Sequence, residues 1–366
     1  MKIFQVIPQF VEGGAERFVV DLCNTLIENY SCKIVLIVFF SFDRNHILAK
    51  ELNPEIDLIV LDKKLGFDFS IVRKLDHLVT LHKPDVIHTH LNAFEYLFYD
   101  IIKYRNKINF INTIHNSPNW MYRNKIVKYI NSLLYSKKRV TPVIISSDSI
   151  AEFKKLFPRI DEVLIFNGRP IVNASNKIET VQKEVASYKK SPATKVFINV
   201  ARISPQKNQL MLVDAFNQLI EEGEDVILLI VGTFWDQEII AEINVKIKDR
   251  IYLLGYKDNP TDYLSCSDAF CLSSFHEGMP ISLIESIQEG IIPICTPAGG
   301  VKDIITPAIG FISYDFSTLS YIASLKAFLK LDDIKRMEMS KKAKIRYENN
   351  YTMKITASKY YQLYEN

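Results

Sequence analysis

Residues 195–208 read Lys195-Val196-Phe197-Ile198-Asn199-Val200-Ala201-Arg202-Ile203-Ser204-Pro205-Gln206-Lys207-Asn208. The run to Ala201 is apolar almost throughout instead of alternating. Such a run indicates a strand covered on both faces, as in parallel sheets. A loop carrying Arg202, Pro205 and Lys207 follows, and Leu210, Leu212, Val213 and Phe216 then recur at helical spacing. Strand, polar loop and helix in that order are the repeating unit of an α/β sheet.

The same pattern extends in both directions. Short runs rich in Ile, Val and Phe cover 2–7, 33–40, 57–61, 85–90, 108–114, 142–146 and 163–166. In the second half they cover 195–201, 226–232, 251–255, 269–272, 292–295 and 310–313. Helical patterns separate them, so each half reads as a doubly wound α/β domain. A chain of 366 residues also suits two domains better than one core. Residues 167–192, polar and holding two prolines, read as the connection, with a weak helical pattern near 178–188. The expected division is 1–170 plus a C-terminal helix at about 349–366, and 171–348. The tail 341–364 is helical in pattern and rich in tyrosine.

Apolar residues make up 48% and charged residues 24%, the balance of an ordinary globular protein. A net charge of +3 gives no global reason to expect a nucleic-acid partner. The five cysteines form no Cys-x-x-Cys pair and mostly sit in apolar runs, which suits reduced thiols. The first apolar run is too short for a signal peptide, and no run reaches the roughly 20 residues of a spanning helix. A cytoplasmic protein is therefore expected. Asn173-Ala174-Ser175 matches a glycosylation pattern but has no secretory context.

In open α/β sheets ligands bind beyond the carboxyl ends of the strands, so chemistry is sought where each apolar run closes. After the first run, Glu12-Gly13-Gly14-Ala15-Glu16 opens an amphipathic helix. Its glycines permit positive φ and close backbone approach, and the helix start favours an anion; a purely structural turn is the plainer reading. Arg202 and Lys207 flank a strand-to-helix loop, where a diphosphate could meet a guanidinium fork and an ammonium together, or where two cations are simply solvated. His88, His90 and His115 close two neighbouring runs. His-x-His invites a zinc reading, but without Cys or carboxylate partners at ligand spacing, positioning of a sugar or acceptor fits better.

Late in the chain, Ser274-Phe275-His276-Glu277-Gly278-Met279-Pro280-Ile281-Ser282-Leu283-Ile284-Glu285 places two carboxylates on either side of a turn into a helix, with Pro at its first position. The pair fits a capped helix with solvated carboxylates, a general acid and base, or two grips on one ligand. No Asp-x-Asp, G-x-S-x-G or P-loop occurs. From Ile101 to Ser147 there is no Asp or Glu. Nine cations (Lys103, Arg105, Lys107, Arg123, Lys125, Lys128, Lys137, Lys138 and Arg139) alternate there with Trp120, Met121, Tyr122, Ile126, Val127, Ile130, Leu133 and Leu134. This suits attachment to an anionic membrane surface, or a solvated basic face over a core-packed helix. Nucleic acid fits less well, since base-stacking and groove-reading motifs are missing.

Taken in order, these pieces resemble the retaining glycosyltransferases of the GT-B fold, family 4 (glycosyl transferases group 1). The match runs through Glu12–Glu16, Asn167-Gly168, Arg202 with Lys207, Gly255, Ser267-Asp268-Ala269, Glu277-Gly278-Met279-Pro280 with Glu285, and Ala298-Gly299-Gly300. Each motif is weak alone; the ordered set covers nearly the whole chain. The resemblance implies two Rossmann-like domains facing each other across a cleft, the first for the acceptor and the second for a nucleotide-sugar donor, with the C-terminal helix crossing back to the first.

It also implies that Arg202 and Lys207 bind the donor diphosphate and Glu285 the ribose, while Gly14 lets the N-terminal loop approach the diphosphate. Glu277 with Gly278, Met279, Pro280 and Ile281 holds the sugar, Tyr256 borders the donor, and His115 is the sugar-side histidine. His88 and His90 are expected on the acceptor side. His115, Glu277, Arg202 and Lys207 form the expected catalytic set, with no metal or cofactor. The chain departs from many members in carrying Ala201 where they have glycine, and Thr233-Phe234-Trp235 where they have a second glycine.

The expected activity is transfer of a sugar from a uridine-linked donor to a glycan or lipid-linked acceptor in bacterial surface polysaccharide synthesis, peripheral on the inner face of the cell membrane. A nucleotide-sugar epimerase, a sugar phosphorylase, or a non-catalytic nucleotide-sugar-binding module on the same fold are the alternatives.

Overall fold

A computed structural model of the chain describes residues 1–11, 13–43, 47–122, 124–137 and 139–365, without the side chains of residues 120 and 121. Glu12, Arg123 and Lys138 of the motifs above thus lie outside the described residues. The chain forms two compact units, Met1–Pro170 with Thr352–Asn366, and Ile171–Tyr351.

The first unit is built on β1 (Lys2–Ile7), β2 (Lys33–Val38), β3 (Asp57–Val60), β4 (Val86–His90), β5 (Asn109–Ile114), β6 (Thr141–Ile144) and β7 (Val163–Leu164). They pair in parallel in the order β3-β2-β1-β4-β5-β6-β7. Chain order reverses between β1 and β4. The register sets Gln5 beside His88 and His90 beside Thr113. Successive strand residues face opposite sides. Phe4, Val6, Ile87 and Phe110 therefore enter one core layer, while Ile3, Ile7, Val86 and Ile111 enter the other with Phe18, Tyr360 and Tyr364. Gln5, His88, His90 and Thr113 follow that second parity and form a polar stripe within it.

The second unit is built on β8 (Lys195–Val200), β9 (Val226–Val231), β10 (Ile251–Gly255), β11 (Ala269–Leu272), β12 (Ile292–Cys295) and β13 (Phe311–Ile312). Their parallel order is β10-β9-β8-β11-β12-β13, with the reversal between β8 and β11. Val226–Val231 is buried at every position, which explains why it reads as one unbroken apolar run.

Two expectations change. Residues 167–192 are not all connection: the helix Ile178–Tyr188 belongs to the second unit. Tyr188 stacks on Tyr252 at 4.1 Å, and the Tyr263 hydroxyl donates to Glu184 at 2.7 Å. The tail is also two helices, Asp333–Asn350 in the second unit and Met353–Glu365 in the first. Gly168 makes the return of the chain possible, since a Cβ there would lie 2.6 Å from the Thr352 carbonyl oxygen. Beside it Met353 N–H donates to the Arg169 carbonyl at 2.9 Å, and the Thr356 hydroxyl donates to that of Phe166 at 3.0 Å.

Candidate active site

In the second unit the loops after β8, β9, β11 and β12 are neighbours because their strands are. The loop after β8 is bound to the loop after β11 across the reversal point. The Phe275 N–H donates to the Gln206 carbonyl at 2.9 Å, the Gln206 amide to the His276 carbonyl at 2.7 Å, and the Ser273 hydroxyl to the Lys207 carbonyl at 2.9 Å. These bonds place the Lys207 ammonium 2.7 Å from the Glu277 carboxylate, whose side chain is only 6% exposed.

The loop after β12 supports the other side. Gly300 N–H donates to the Gly278 carbonyl at 3.0 Å, and Gly299 adopts φ +50° directly under Glu277. A Cβ on Gly299 would collide with the Glu277 carbonyl oxygen. Glycine is therefore required there for both conformation and space.

Arg202 lies at the same sheet end. Its guanidinium sits 5.3 Å from the ring centroid of Trp235, in the loop after β9, within cation–π range. The Gln209 amide holds the Arg202 carbonyl at 3.0 Å, and Ile203 pairs with Phe234 as an isolated bridge. Among the described residues no carboxylate pairs with Arg202, so its fork is open to an anion. Trp235 carries no signal as a partner in the sequence, where it figures only as a departure in the Thr233-Phe234-Trp235 loop.

The helix Ile281–Glu289 begins directly after this turn. Pro280 is its N-cap, not its first residue, and the helix ends at Gly290 with φ +75°. Met279, Pro280 and Ile281 are buried. Glu285 is 7% exposed, so both glutamates are enclosed and the reading of a solvated pair fails. Tyr256 follows Gly255 at the end of β10, two strands from β8, and is exposed.

In the first unit Gly13 is the extended N-cap of the helix Gly14–Tyr30, and Gly14 is its first residue. Neither glycine has positive φ, so the turn does not need them for that reason. A concave apolar pocket of about 250 Å³ opens near the ends of β1 and β2, lined by Phe10, Val11, Phe40, Phe42 and Leu65 among others.

His88, His90 and His115 are brought together, but inside. His90 Nδ1 lies 2.9 Å from His115 Nε2, and His90 Nε2 lies 2.8 Å from Gln5 Oε1. His88 bonds the Tyr364 hydroxyl through Nδ1 and the Thr113 hydroxyl through Nε2, both at 2.7 Å. With both nitrogens committed and no exposure, neither His88 nor His90 is open to a ligand in this arrangement. Burial pushes both imidazoles well below the usual histidine range, with the neighbouring histidines adding to it. Burial alone takes His115 down to about 3. All three are neutral at ordinary pH.

Known proteins share this architecture. The model of the glycosyl transferases group 1 matches residues 180–346, and that of glycosyltransferase family 4 matches residues 12–163. An Escherichia coli protein named UDP-Gal:alpha-D-GlcNAc-diphosphoundecaprenol alpha-1,3-galactosyltransferase is 24% identical over 352 residues, covering 88% of this chain and 89% of its own. A Campylobacter jejuni protein, named as the 4-alpha-N-acetylgalactosaminyltransferase acting on N-acetylgalactosamine-N,N'-diacetylbacillosaminyl-diphospho-undecaprenol, is 24% identical and covers 91% of each chain. A glycosyltransferase crystal structure from Rickettsia africae superposes with a TM-score of 0.82 at 21% identity, over 100% of this chain and 97% of that one. The fold is thus GT-B, each of its two α/β units built on a parallel sheet, and the chain belongs to glycosyltransferase family 4.

Proposed function

We propose that the chain is a retaining, metal-independent glycosyltransferase that moves a sugar from a uridine diphosphate donor to a hydroxyl of a glycan or lipid-linked acceptor. One observation carries the reading most: the guanidinium of Arg202, with no carboxylate partner among the described residues, lies at the same sheet end as the enclosed Lys207–Glu277 pair, at the reversal point of the six-stranded sheet. That is where an α/β sheet binds its ligand, and a fork plus an ammonium matches a diphosphate. The name of the Escherichia coli relative supports the uridine diphosphate donor, and the names of the Escherichia coli and Campylobacter jejuni relatives support the polyprenyl-diphosphate-linked acceptor class.

In this reading the bond from the sugar's anomeric carbon to the diphosphate breaks as the bond to the acceptor oxygen forms on the same face. The leaving phosphate takes the acceptor proton. Arg202 and Lys207 meet the developing negative charge, which matters more in the transition state than in the bound donor. Glu277 holds both Lys207 and the sugar, Glu285 takes the ribose, and His115 reaches the sugar. Gly14, Tyr256 and the backbone from Gly278 to Ile281 border the donor. The apolar pocket near the ends of β1 and β2 supports an acceptor with an apolar part.

Work at the inner face of the cell membrane is part of the proposal. No described helix is long and apolar enough to cross a membrane. The helix Lys125–Ser136 instead exposes Ile126, Tyr129, Ile130 and Leu133 on one face, beside Lys125 and Lys128.

A thermal-shift screen of nucleotide sugars, run with EDTA present, tests the reading. A ligand at about 100 times its Kd adds ~2.7 kcal/mol to the native state, so a uridine-linked donor should raise the melting midpoint by a few degrees. No shift with any nucleotide or nucleotide sugar, or a shift seen only without EDTA, contradicts it.

A further inference from the structure

The imidazole of His115 is the end of a buried hydrogen-bonded series that begins on the C-terminal helix. The Tyr360 hydroxyl lies 2.9 Å from Thr113 Oγ1, which lies 2.7 Å from His88 Nε2. His88 Nδ1 lies 2.7 Å from the Tyr364 hydroxyl, which accepts from the Gln5 amide at 3.1 Å. Gln5 passes the series to His90, and His90 to His115. Every member is at most 6% exposed, so the series is shielded from bulk solvent.

Such a series has a direction. A neutral imidazole carries one proton, so each histidine donates from one nitrogen and accepts at the other. Gln5 presents its NH2 to Tyr364 and its carbonyl oxygen to His90, so His90 donates from Nε2 and accepts at Nδ1. His115 must then donate from Nε2, and its Nδ1 keeps a bare lone pair. On the other arm the Tyr364 oxygen accepts from Gln5, so its proton goes to His88 Nδ1. His88 then donates from Nε2 to Thr113. Turning the Gln5 amide round would reverse the links through His90 and His115 together.

We propose that Tyr364, with Tyr360 behind it, is a positioning residue that holds His115 in its Nε2–H tautomer, so that Nδ1 accepts a hydrogen bond from a hydroxyl of the donor sugar. The link to the sugar rests on the reading above. The tautomer does not. The return of the C-terminal helix to the first unit thereby acquires a chemical consequence: Met353–Glu365 supplies the two hydroxyls that anchor the series ending at His115.

The test uses the full-length protein labelled with 15N in its histidine rings, and the variant Tyr364→Phe, which removes the hydroxyl and keeps the ring. Tyr360→Phe is the second variant. Tyr361→Phe is the control, since its ring stacks on Tyr30 outside the series. The wild type and the control should show His115 protonated on Nε2 alone, and Tyr364→Phe should show a mixture of tautomers. With a working donor, Tyr364→Phe should lower kcat/KM roughly tenfold, the worth of about one hydrogen bond. That penalty should vanish for one donor analogue lacking a single ring hydroxyl, whereas a merely structural defect slows all analogues alike. A wild-type His115 protonated on Nδ1, or a Tyr364→Phe protein with unchanged tautomer, overturns the proposal whether or not transfer is ever observed. An altered tautomer with equal penalties on every analogue overturns the link to the sugar and leaves the glycosyltransferase reading intact.

Discussion

Among the described residues Arg202 is held by a ring and not by a carboxylate, and that distinction decides what it can do. A guanidinium paired with Glu or Asp would have to give up that partner before binding a diphosphate. Stacked on Trp235, it keeps its donors free. Arg202→Ala should therefore lower kcat/KM by roughly 100- to 1,000-fold, about 3–4 kcal/mol, the usual loss for one donor to a developing anion. Arg202→Lys should recover little, because an ammonium cannot reproduce the fork. Steady-state kinetics on protein with an unchanged melting midpoint checks both, and near-full activity in Arg202→Ala would remove the role assigned to it. The charged positions are legible in sequence because each follows an apolar run. Trp235 is not, because a tryptophan in a loop has no periodic signal and its contact with Arg202 depends on the pairing of β8 with β9.

At the level of elements, strands are easier to read than their contacts. Each apolar run forms a strand within a few residues, since a strand buried on both faces has little choice but Ile, Val, Leu and Phe. The loop stack at the sheet end depends on Gly299, which sequence presents only as part of Ala298-Gly299-Gly300. Gly299→Ala must push the Glu277 carbonyl aside and adopt a left-handed conformation. It should cost about 2–4 kcal/mol of stability and depress activity with it, measured by denaturant melts and kinetics; an unaffected enzyme would show that the stack does not hold Glu277.

The short helix Phe98–Lys103 carries a cost of a different kind. Asp100 is fully buried, and neither carboxylate oxygen meets a hydrogen-bond partner among the described residues. Burial, reinforced by Asp76 and partly offset by Lys103, raises its pKa to about 7. The unfolded carboxyl titrates near 4. Below that value both states are protonated and stability is undiminished; between about 4 and 7 only the unfolded state loses its proton, so stability falls as pH rises. Asp100→Asn should be close to neutral at pH 4 and stabilising by about 1–3 kcal/mol at pH 8. Denaturant melts at the two pH values check this, and equal effects at both would mean that folding leaves the Asp100 pKa where it lies in the unfolded chain.

For the molecule as a whole, the question is where it works, and the acid-free segment 101–147 bears on that. Sequence shows its cations and apolar residues but not how they divide. Tyr122, Leu134 and Tyr135 turn into the core, while Ile126 (71% exposed), Tyr129, Ile130 and Leu133 remain outside at helical spacing. An exposed apolar stripe flanked by lysines fits an anionic bilayer surface: on the proposal above the stripe would enter the headgroup boundary, and each nearby lysine would add about 1 kcal/mol. The protein should co-sediment with vesicles containing anionic lipid more strongly than with neutral ones, and raising the salt should weaken binding as the charges are screened. The double variant Ile126→Ser, Ile130→Ser should lose most vesicle binding and keep its melting midpoint, since exposed positions contribute little to folding. Its turnover of a short, water-soluble acceptor should be unchanged, while turnover of a vesicle-borne acceptor falls. Equal binding of the wild type to anionic and neutral vesicles, or undiminished binding by the double variant, would leave this face a solvated one and move the site of action elsewhere.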